Sequence, residues 1–403
     1  MIRKDILKEI LESQRSWITG LDKGIRREKI QDVKLFDSFA FVITGIRRCG
    51  KSTMLSQMLS KQKNFYYLNL EDPRLDGFEL KDFSRADELF KVEYGEGGVY
   101  FFDEIQNISK WERFIRLLTD RKETVVLTGS NASLLSKELG TRLTGRNIKL
   151  ELYPFSYREF LHMRKFGPGV NSFEEYLDEG GFPEFIKRGD SAILQELLKD
   201  VVMRDIVNRY NIRNTSVLRK IAIYLISHAG KEFSHNSLKR AFEVKSVQSV
   251  IDYLSYLEDS YLIFTVPKFS YSYKQQQVNP KKAYSIDNGL SRVNSATFSK
   301  DRGKMLENAV FLELRRRHQD IFYYRNAGEC DFIIKEKGRL SAMQVCYELN
   351  DDNSTRETKG LLEALKEIKS KEGLILTSNQ EDELLIEDRK IRVKPVWKWM
   401  LHP

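Results

Sequence analysis

Residues 45–52 read Gly-Ile-Arg-Arg-Cys-Gly-Lys-Ser and, with Thr53 behind them, fill every fixed position of G-x-x-x-x-G-K-[ST]. This spelling suits phosphate. Glycines let backbone N–H groups curl around phosphate oxygens, and a helix opening at the lysine adds partial positive charge. Gly45, Ile46, Arg47, Arg48, Cys49, Gly50, Lys51, Ser52 and Thr53 are therefore candidate ligands of a triphosphate, namely ATP. Lys51 reaches for the β- and γ-phosphates and Ser52 for Mg²⁺. Arg47 and Arg48, inside the loop, fit solvent or a partner better than the phosphates. Further along, the apolar run Val99-Tyr100-Phe101-Phe102 ends in Asp103 and Glu104. Asp103 is the candidate second Mg²⁺ ligand and Glu104 the candidate general base for water, unless the pair is an ordinary polar strand exit. An acid pair here favours hydrolysis over nucleotide sensing.

Three weaker constellations follow. Val125–Thr128 runs into Gly129-Ser130-Asn131, where Ser130 or Asn131 could orient water or touch a γ-phosphate, although turn chemistry explains either as well. Arg142 and Arg146 flank Leu143-Thr144-Gly145. Either could stabilise transition-state charge on a neighbouring subunit, or form a surface ion pair. Near the C-terminal end, Glu307 sits on a helical pattern, Asp331 opens Phe332-Ile333-Ile334, and Gln344-Val345-Cys346 follows. That order resembles the PD-(D/E)XK nuclease fold, with Gln344 at the usual acid position and Cys346 at the lysine position. A thiol supplies no ammonium. Glu329 could lend an oxygen and Lys359 could migrate in, yet a degenerate, non-cleaving nuclease-like domain is the better reading.

These residues need positioning elements. Apolar runs at Phe39–Thr44, Phe65–Leu70, Val99–Phe102, Val125–Thr128 and Ile148–Leu152 alternate with helical patterns at Lys51–Lys61, Ala86–Tyr94, Trp111–Arg121 and Leu134–Leu139. Such alternation predicts an α/β fold with a parallel five-stranded sheet covered on both faces. Ile2, Ile6, Ile10 and Leu11 predict an amphipathic leader helix packing on it. The expected divisions are a P-loop core over 1–153, a helical lid or linker over 154–209, a basic winged-helix-like domain over 210–295, and the nuclease-like α/β domain over 296–403. Residues 210–286 hold 11 Lys/Arg against 5 Asp/Glu, two-thirds of the chain's net charge of +9. Three helical patterns there precede a two-stranded one. Ser246, Gln248 and Ser249 open the third helix, and Tyr271–Lys282, with Lys274, Lys281 and Lys282 beside Tyr271 and Tyr273, forms the expected wing. DNA is the preferred partner of this region, ahead of a protein.

Composition sets outer limits. With 403 residues, 41% hydrophobic and 11% aromatic, the chain can bury two or three cores and is not disordered. Three cysteines argue against a disulfide framework and for a reducing cytoplasm, and no apolar run suits a membrane span. Five scattered histidines suggest no zinc site.

The segments GIRRCGKST, VYFFDEIQNISKW, LTGSNASLLSKELGTRLTGR and LYPFSYREFL resemble the AAA+-type ATPases of prokaryotes, in particular the group carrying a C-terminal domain of unknown function (number 4143). The resemblance implies a five-stranded AAA+ core with Lys51, Ser52, Asp103 and Glu104 in the roles above, Ser130 or Asn131 as sensor, and Arg142 or Arg146 as an arginine finger in a homo-oligomer. The expected function is Mg²⁺-dependent ATP hydrolysis coupled to DNA or a partner protein. The alternatives are an ATP-gated nuclease and a nucleotide-switched DNA-binding protein with little turnover.

Overall fold

A computed structural model describes residues 2–31, 33–132, 145–295 and 301–402. The chain divides into two compact units, Met1–Leu152 and Tyr153–Pro403. The stretches 154–209, 210–295 and 296–403 all lie in the second.

In the first unit, strands β1 (Ala40–Thr44), β2 (Phe65–Asn69), β3 (Val99–Asp103), β4 (Val125–Gly129) and β5 (Asn147–Glu151) form one parallel sheet in the order β2-β3-β4-β1-β5. β1 and β4 are buried along their whole length, as continuous apolar runs require when both faces are covered. This order sets β1, which feeds the phosphate loop, next to β4 and β4 next to β3, so loop and acid pair emerge at the same sheet edge.

Helices α1 (Lys4–Gly20), α2 (Lys51–Leu59), α3 (Leu80–Tyr94) and α4 (Trp111–Asp120) supply the remaining apolar surface. The leader helix forms, but its inward stripe is Leu7, Ile10, Leu11, Gln14 and Ile18, and Ile6 is 41% exposed. Of the expected stripe, Ile2, Ile10 and Leu11 are buried and only Ile6 is not, because a 3.6-residue period carries Leu7 onto the face shared with Ile10, Leu11 and Ile18. Helix α3 begins six residues before the expected Ala86, since Glu79 and Asp82 form a reciprocal capping box there. The helix expected at Leu134–Leu139 lies outside the described residues.

The second unit opens with helices Tyr157–Arg164, Val170–Glu179, Pro183–Arg188 and Ala192–Asp200, the last passing into a π-helical stretch, Val201–Val207. Helix Thr215–Ser227, strand β6 (Glu232–Phe233), helices His235–Ala241 and Val247–Asp259, and strands β7 (Ile263–Pro267) and β8 (Lys281–Ser285) come next. Their antiparallel sheet has the order β6-β8-β7. Helix Val247–Asp259 turns Val250, Leu254 and Leu257 inward and leaves Ile251 exposed.

The expected wing is corrected. Tyr273–Val278 is a short helix rather than a polar loop, and Lys281 and Lys282 belong to β8.

After helix Arg302–Arg317, strands β9 (Asp320–Arg325), β10 (Glu329–Glu336) and β11 (Arg339–Val345) pair antiparallel, helix Ser354–Glu367 crosses, and β12 (Glu372–Thr377) pairs parallel with β11. Two further strands, β13 (Asp382–Ile386) and β14 (Arg389–Pro395), complete a six-stranded sheet of order β13-β14-β12-β11-β10-β9.

Candidate functional site

The phosphate-loop motif sits where its chemistry needs it, between β1 and α2. Two of its glycines are required by geometry. A Cβ on Gly45 would stand 2.1 Å from the Leu152 carbonyl oxygen, and Gly50, at the N-cap of α2, has a φ of +99°. Arg27 braces the loop from outside the motif, donating from Nη1 to the Cys49 carbonyl at 2.7 Å. Cys49 is buried, its thiol pushed up by that burial, and its Sγ lies 3.4 Å from the Leu152 carbonyl.

Lys51 is buried and folded back on its own loop, donating to the carbonyls of Gly45 (3.1 Å) and Ile46 (3.3 Å). Its ammonium also stands 3.4 Å from Glu104 Oε1. Asp103 is buried at the end of β3. Its Oδ1 accepts from the Thr128 hydroxyl and its Oδ2 from the Tyr67 hydroxyl at 3.2 Å. Burial, then the neighbouring Glu104, pushes the Asp103 carboxyl up, against the hydroxyls of Thr128 and Ser52 and the charge of Lys51. Burial pushes on Glu104 the same way, but Lys51, the Gln106 amide and Arg47 outweigh it and hold Glu104 below the usual carboxylate range. The two acids thus part company. Burial favours the neutral form of Asp103, and Lys51 favours the ionised form of Glu104.

Glu104 has a φ of +52°, an uncommon conformation for a residue with a Cβ. Its N–H donates to Thr128 Oγ1 at 3.0 Å, so one threonine fixes both acids. Thr128, Tyr67 and Gln106 are the members of this site that motif spacing does not reveal. Thr128 closes an apolar strand and reads as ordinary β sequence, and Gln106 falls in a short turn (Ile105–Asn107) that carries no motif.

Ser130 and Asn131 are both buried beside the site, Ser130 accepting from Gln106 Nε2 at 3.3 Å. Arg47 pairs with Glu71 at 2.8 Å. Arg48 takes a left-handed φ of +63° within the loop, and Thr53 lies in the first turn of α2. Arg146 makes an exposed 2.8 Å pair with Asp120, the surface arrangement weighed against a finger role, while Arg142 lies outside the described residues.

A second cluster forms in the other unit. Glu307, on helix Arg302–Arg317, and Asp331, on β10, converge as expected, but the ammonium between them comes from β8. Lys282 Nζ lies 3.1 Å from Glu307, 3.0 Å from Asp331 and 2.7 Å from Glu329. Lys282 is 1% exposed, so it is removed from the expected wing surface. It also supplies the positive charge expected of neither Cys346 nor, with any sequence signal, Lys359. Burial works against the Lys282 ammonium, yet the surrounding carboxylates and Tyr284 raise it well above the ordinary lysine range. Burial and Glu307 push the Asp331 carboxyl up to about 7, against Lys282 and the Val345 N–H.

Gln344 bridges this cluster to the next helix, accepting from the Asp331 N–H at 3.1 Å and donating to Glu357 at 2.6 Å. Cys346 packs with Cys330, Leu361 and Ile375 in the apolar cluster instead. Among the described residues no group of three His, Cys, Asp or Glu side chains is arranged to hold a metal ion, and no helix is long and apolar enough to cross a membrane.

Residues 37–161 match a family model described as an AAA domain, 170–300 a domain of unknown function (DUF8612), and 302–399 a domain of unknown function (DUF4143). An uncharacterised protein of Methanocaldococcus jannaschii is 36% identical, over 100% of this chain and 96% of that protein. One from Haemophilus influenzae is 29% identical, over 90% and 94%. Among solved structures, AMPPCP-bound DnaA from Aquifex aeolicus matches 62% of this chain and 88% of its own, at 15% identity and a TM-score of 0.27. The Aeropyrum pernix ORC2 protein in its ADP form matches 64% and 86%, at 13% identity and a TM-score of 0.32.

Proposed function

The chain belongs to the group of AAA-domain proteins that carry a DUF4143 domain, and from that membership we propose that it is a Mg²⁺-dependent ATPase. One observation carries the reading. Lys51, Asp103 and Glu104 converge at one sheet edge, with Asp103 and Glu104 driven to opposite protonation tendencies. The carboxylate of Asp103 and the hydroxyl of Ser52 are hard oxygen donors of the kind Mg²⁺ prefers. When bound, Mg²⁺ neutralises charge on the phosphate oxygens.

Lys51 would leave its loop carbonyls for the β- and γ-phosphate oxygens, which offer it full negative charge in place of carbonyl dipoles. Glu104, kept ionised, would take a proton from water as the water oxygen attacks the γ-phosphorus and the bond to the bridging oxygen breaks. Arg142 or Arg146 of a second copy would add charge stabilisation in trans. Glu104→Gln is expected to keep ATP binding while lowering kcat by about 10²- to 10⁴-fold, the usual range for a lost general base. Turnover equal to the natural protein removes Glu104 from the mechanism.

We read residues 210–295 as a winged-helix module that couples turnover to DNA. The β6-β8-β7 sheet with its three helices, and the exposed Ser246, Gln248 and Lys274, support that reading. Burial of Lys282 lowers the positive charge it can present. DNA affinity measured over a salt series, with and without ATP, is expected to fall as salt rises; a flat response excludes phosphate-backbone binding. The neutral amide of Gln344 at the usual acid position favours a C-terminal domain that docks rather than cleaves, because an amide holds Mg²⁺ less well than a carboxylate; the Lys282 ammonium pairs with Glu307, Glu329 and Asp331.

A further inference from the structure

Gln106 lies between the two groups whose relative placement matters most for water attack. Its Nε2 donates to Glu104 Oε2 and also reaches Ser130 Oγ at 3.3 Å. The other end of the amide, Oε1, is buried, and no donor among the described residues bonds it. Leaving a buried amide oxygen unpaired is costly, so such an atom in an otherwise hydrogen-bonded site points to a donor that arrives with function.

Three candidate donors can be weighed. Lys51 is committed to Gly45, Ile46 and Glu104 and, on binding, to phosphate. The Ser130 hydroxyl is already beside Nε2, at the wrong end of the amide. Water entering beside Glu104 has two protons to place, one for the carboxylate and one for a neighbouring acceptor.

We infer that Gln106 is a positioning residue that orients the attacking water and locks Glu104 to Ser130. Nε2 fixes the Glu104 carboxylate and ties it to the end of β4, while Oε1 accepts the water proton that is not transferred. A lone pair of the water oxygen is thereby aimed at the γ-phosphorus. One proton passes to Glu104, the new P–O bond forms, and the bond to the bridging oxygen breaks. Because Ser130 shares the same amide, movement at the end of β4 is transmitted to the base. The inference rests on Glu104 being the general base.

The test is steady-state ATP hydrolysis by the full chain and its Gln106→Ala, Gln106→Glu and Glu104→Gln variants, with affinity for a fluorescent ATP analogue measured in parallel. Gln106→Ala should lower kcat by about 10- to 100-fold while KM and analogue affinity stay within about twofold, as expected when only an orienting hydrogen bond is removed. Gln106→Glu keeps the shape, replaces the donor with a charge that repels Glu104, and should lower kcat at least as far. It also serves if the alanine variant folds poorly.

A Gln106→Ala enzyme with kcat within twofold overturns the inference, as does a loss that appears wholly in KM. Glu104→Gln separates the two ideas. If it hydrolyses ATP normally, the general-base reading fails. If it is inactive while Gln106→Ala is normal, only the role of Gln106 fails.

Discussion

Replacing Lys282 by methionine keeps most of the buried stem and deletes its charge. The ammonium stands within 3.1 Å of Glu307, Glu329 and Asp331. At an effective dielectric of about 20, each contact near 3 Å is worth roughly 5 kcal/mol before desolvation is subtracted. The Glu329 contact is discounted, since that side chain is 37% exposed and shares Arg325. Breaking such a cluster from one side typically costs about 3–5 kcal/mol, because the carboxylates stay buried without their counter-ion.

The stranded carboxylates have one escape, which is to bind protons. Protonating an ordinary carboxylate costs about 5 kcal/mol at pH 8 but only about 2 kcal/mol at pH 5.5, so the penalty of the substitution must shrink on acidification. Hydrogen exchange of peptides spanning β8 and β10, corrected for intrinsic rates, reads this locally. Lys282→Met should accelerate exchange at pH 8 on the order of 10²- to 10⁴-fold, and by clearly less at pH 5.5. Acceleration below about threefold, or the same acceleration at both pH values, would refute the charge argument and leave Lys282 as packing.

Asp331→Asn tests the opposite side of the same cluster. With the Asp331 carboxyl raised to about 7 when folded, its contribution to stability is complete below its unfolded pKa of about 4 and is lost as pH rises through 7. The natural protein should therefore lose stability of its second unit between pH 4 and 7, and the asparagine variant should flatten that slope in urea titrations; an unchanged slope assigns it to other groups. In the first unit, Lys51→Ala should weaken binding of a fluorescent ATP analogue by at least about tenfold, since a charge-assisted phosphate contact is worth roughly 1.5–3 kcal/mol. Retained affinity would count against the phosphate-loop assignment.

The first unit was legible because its signals are local. The apolar runs at β1, β3 and β4 are continuous, the phosphate loop sits between a strand and a helix, and Asp103 and Glu104 close an apolar strand where no core would tolerate them unserved. What stayed hidden depends on sheet order. Thr128 reaches Asp103 because β3 and β4 are neighbours, and nothing in its own sequence surroundings says so. Helix phase was the other blind spot. Ile6 and Leu7 are both apolar, and only the positions of Ile10, Leu11 and Ile18 decide which turns inward.

Lys282 shows the limit most clearly. A lysine beside Lys281, between polar residues and a short strand, has the composition of a solvated hairpin, and the basic balance of residues 210–286 reinforces that reading. Strand alternation reverses it. With β8 paired to β7 and β6, Lys282 faces the carboxylates of Glu307 and Asp331, which lie 25 and 49 residues away in sequence. Asp331 and Glu307 on their own invite a metal ion, and so the pattern resembled a nuclease missing its lysine. Supplying the lysine from another segment changes the meaning of the acids. The cation that faces them is covalently part of the chain, and the contact ties β8 to the C-terminal sheet through charges that neither segment could bury alone.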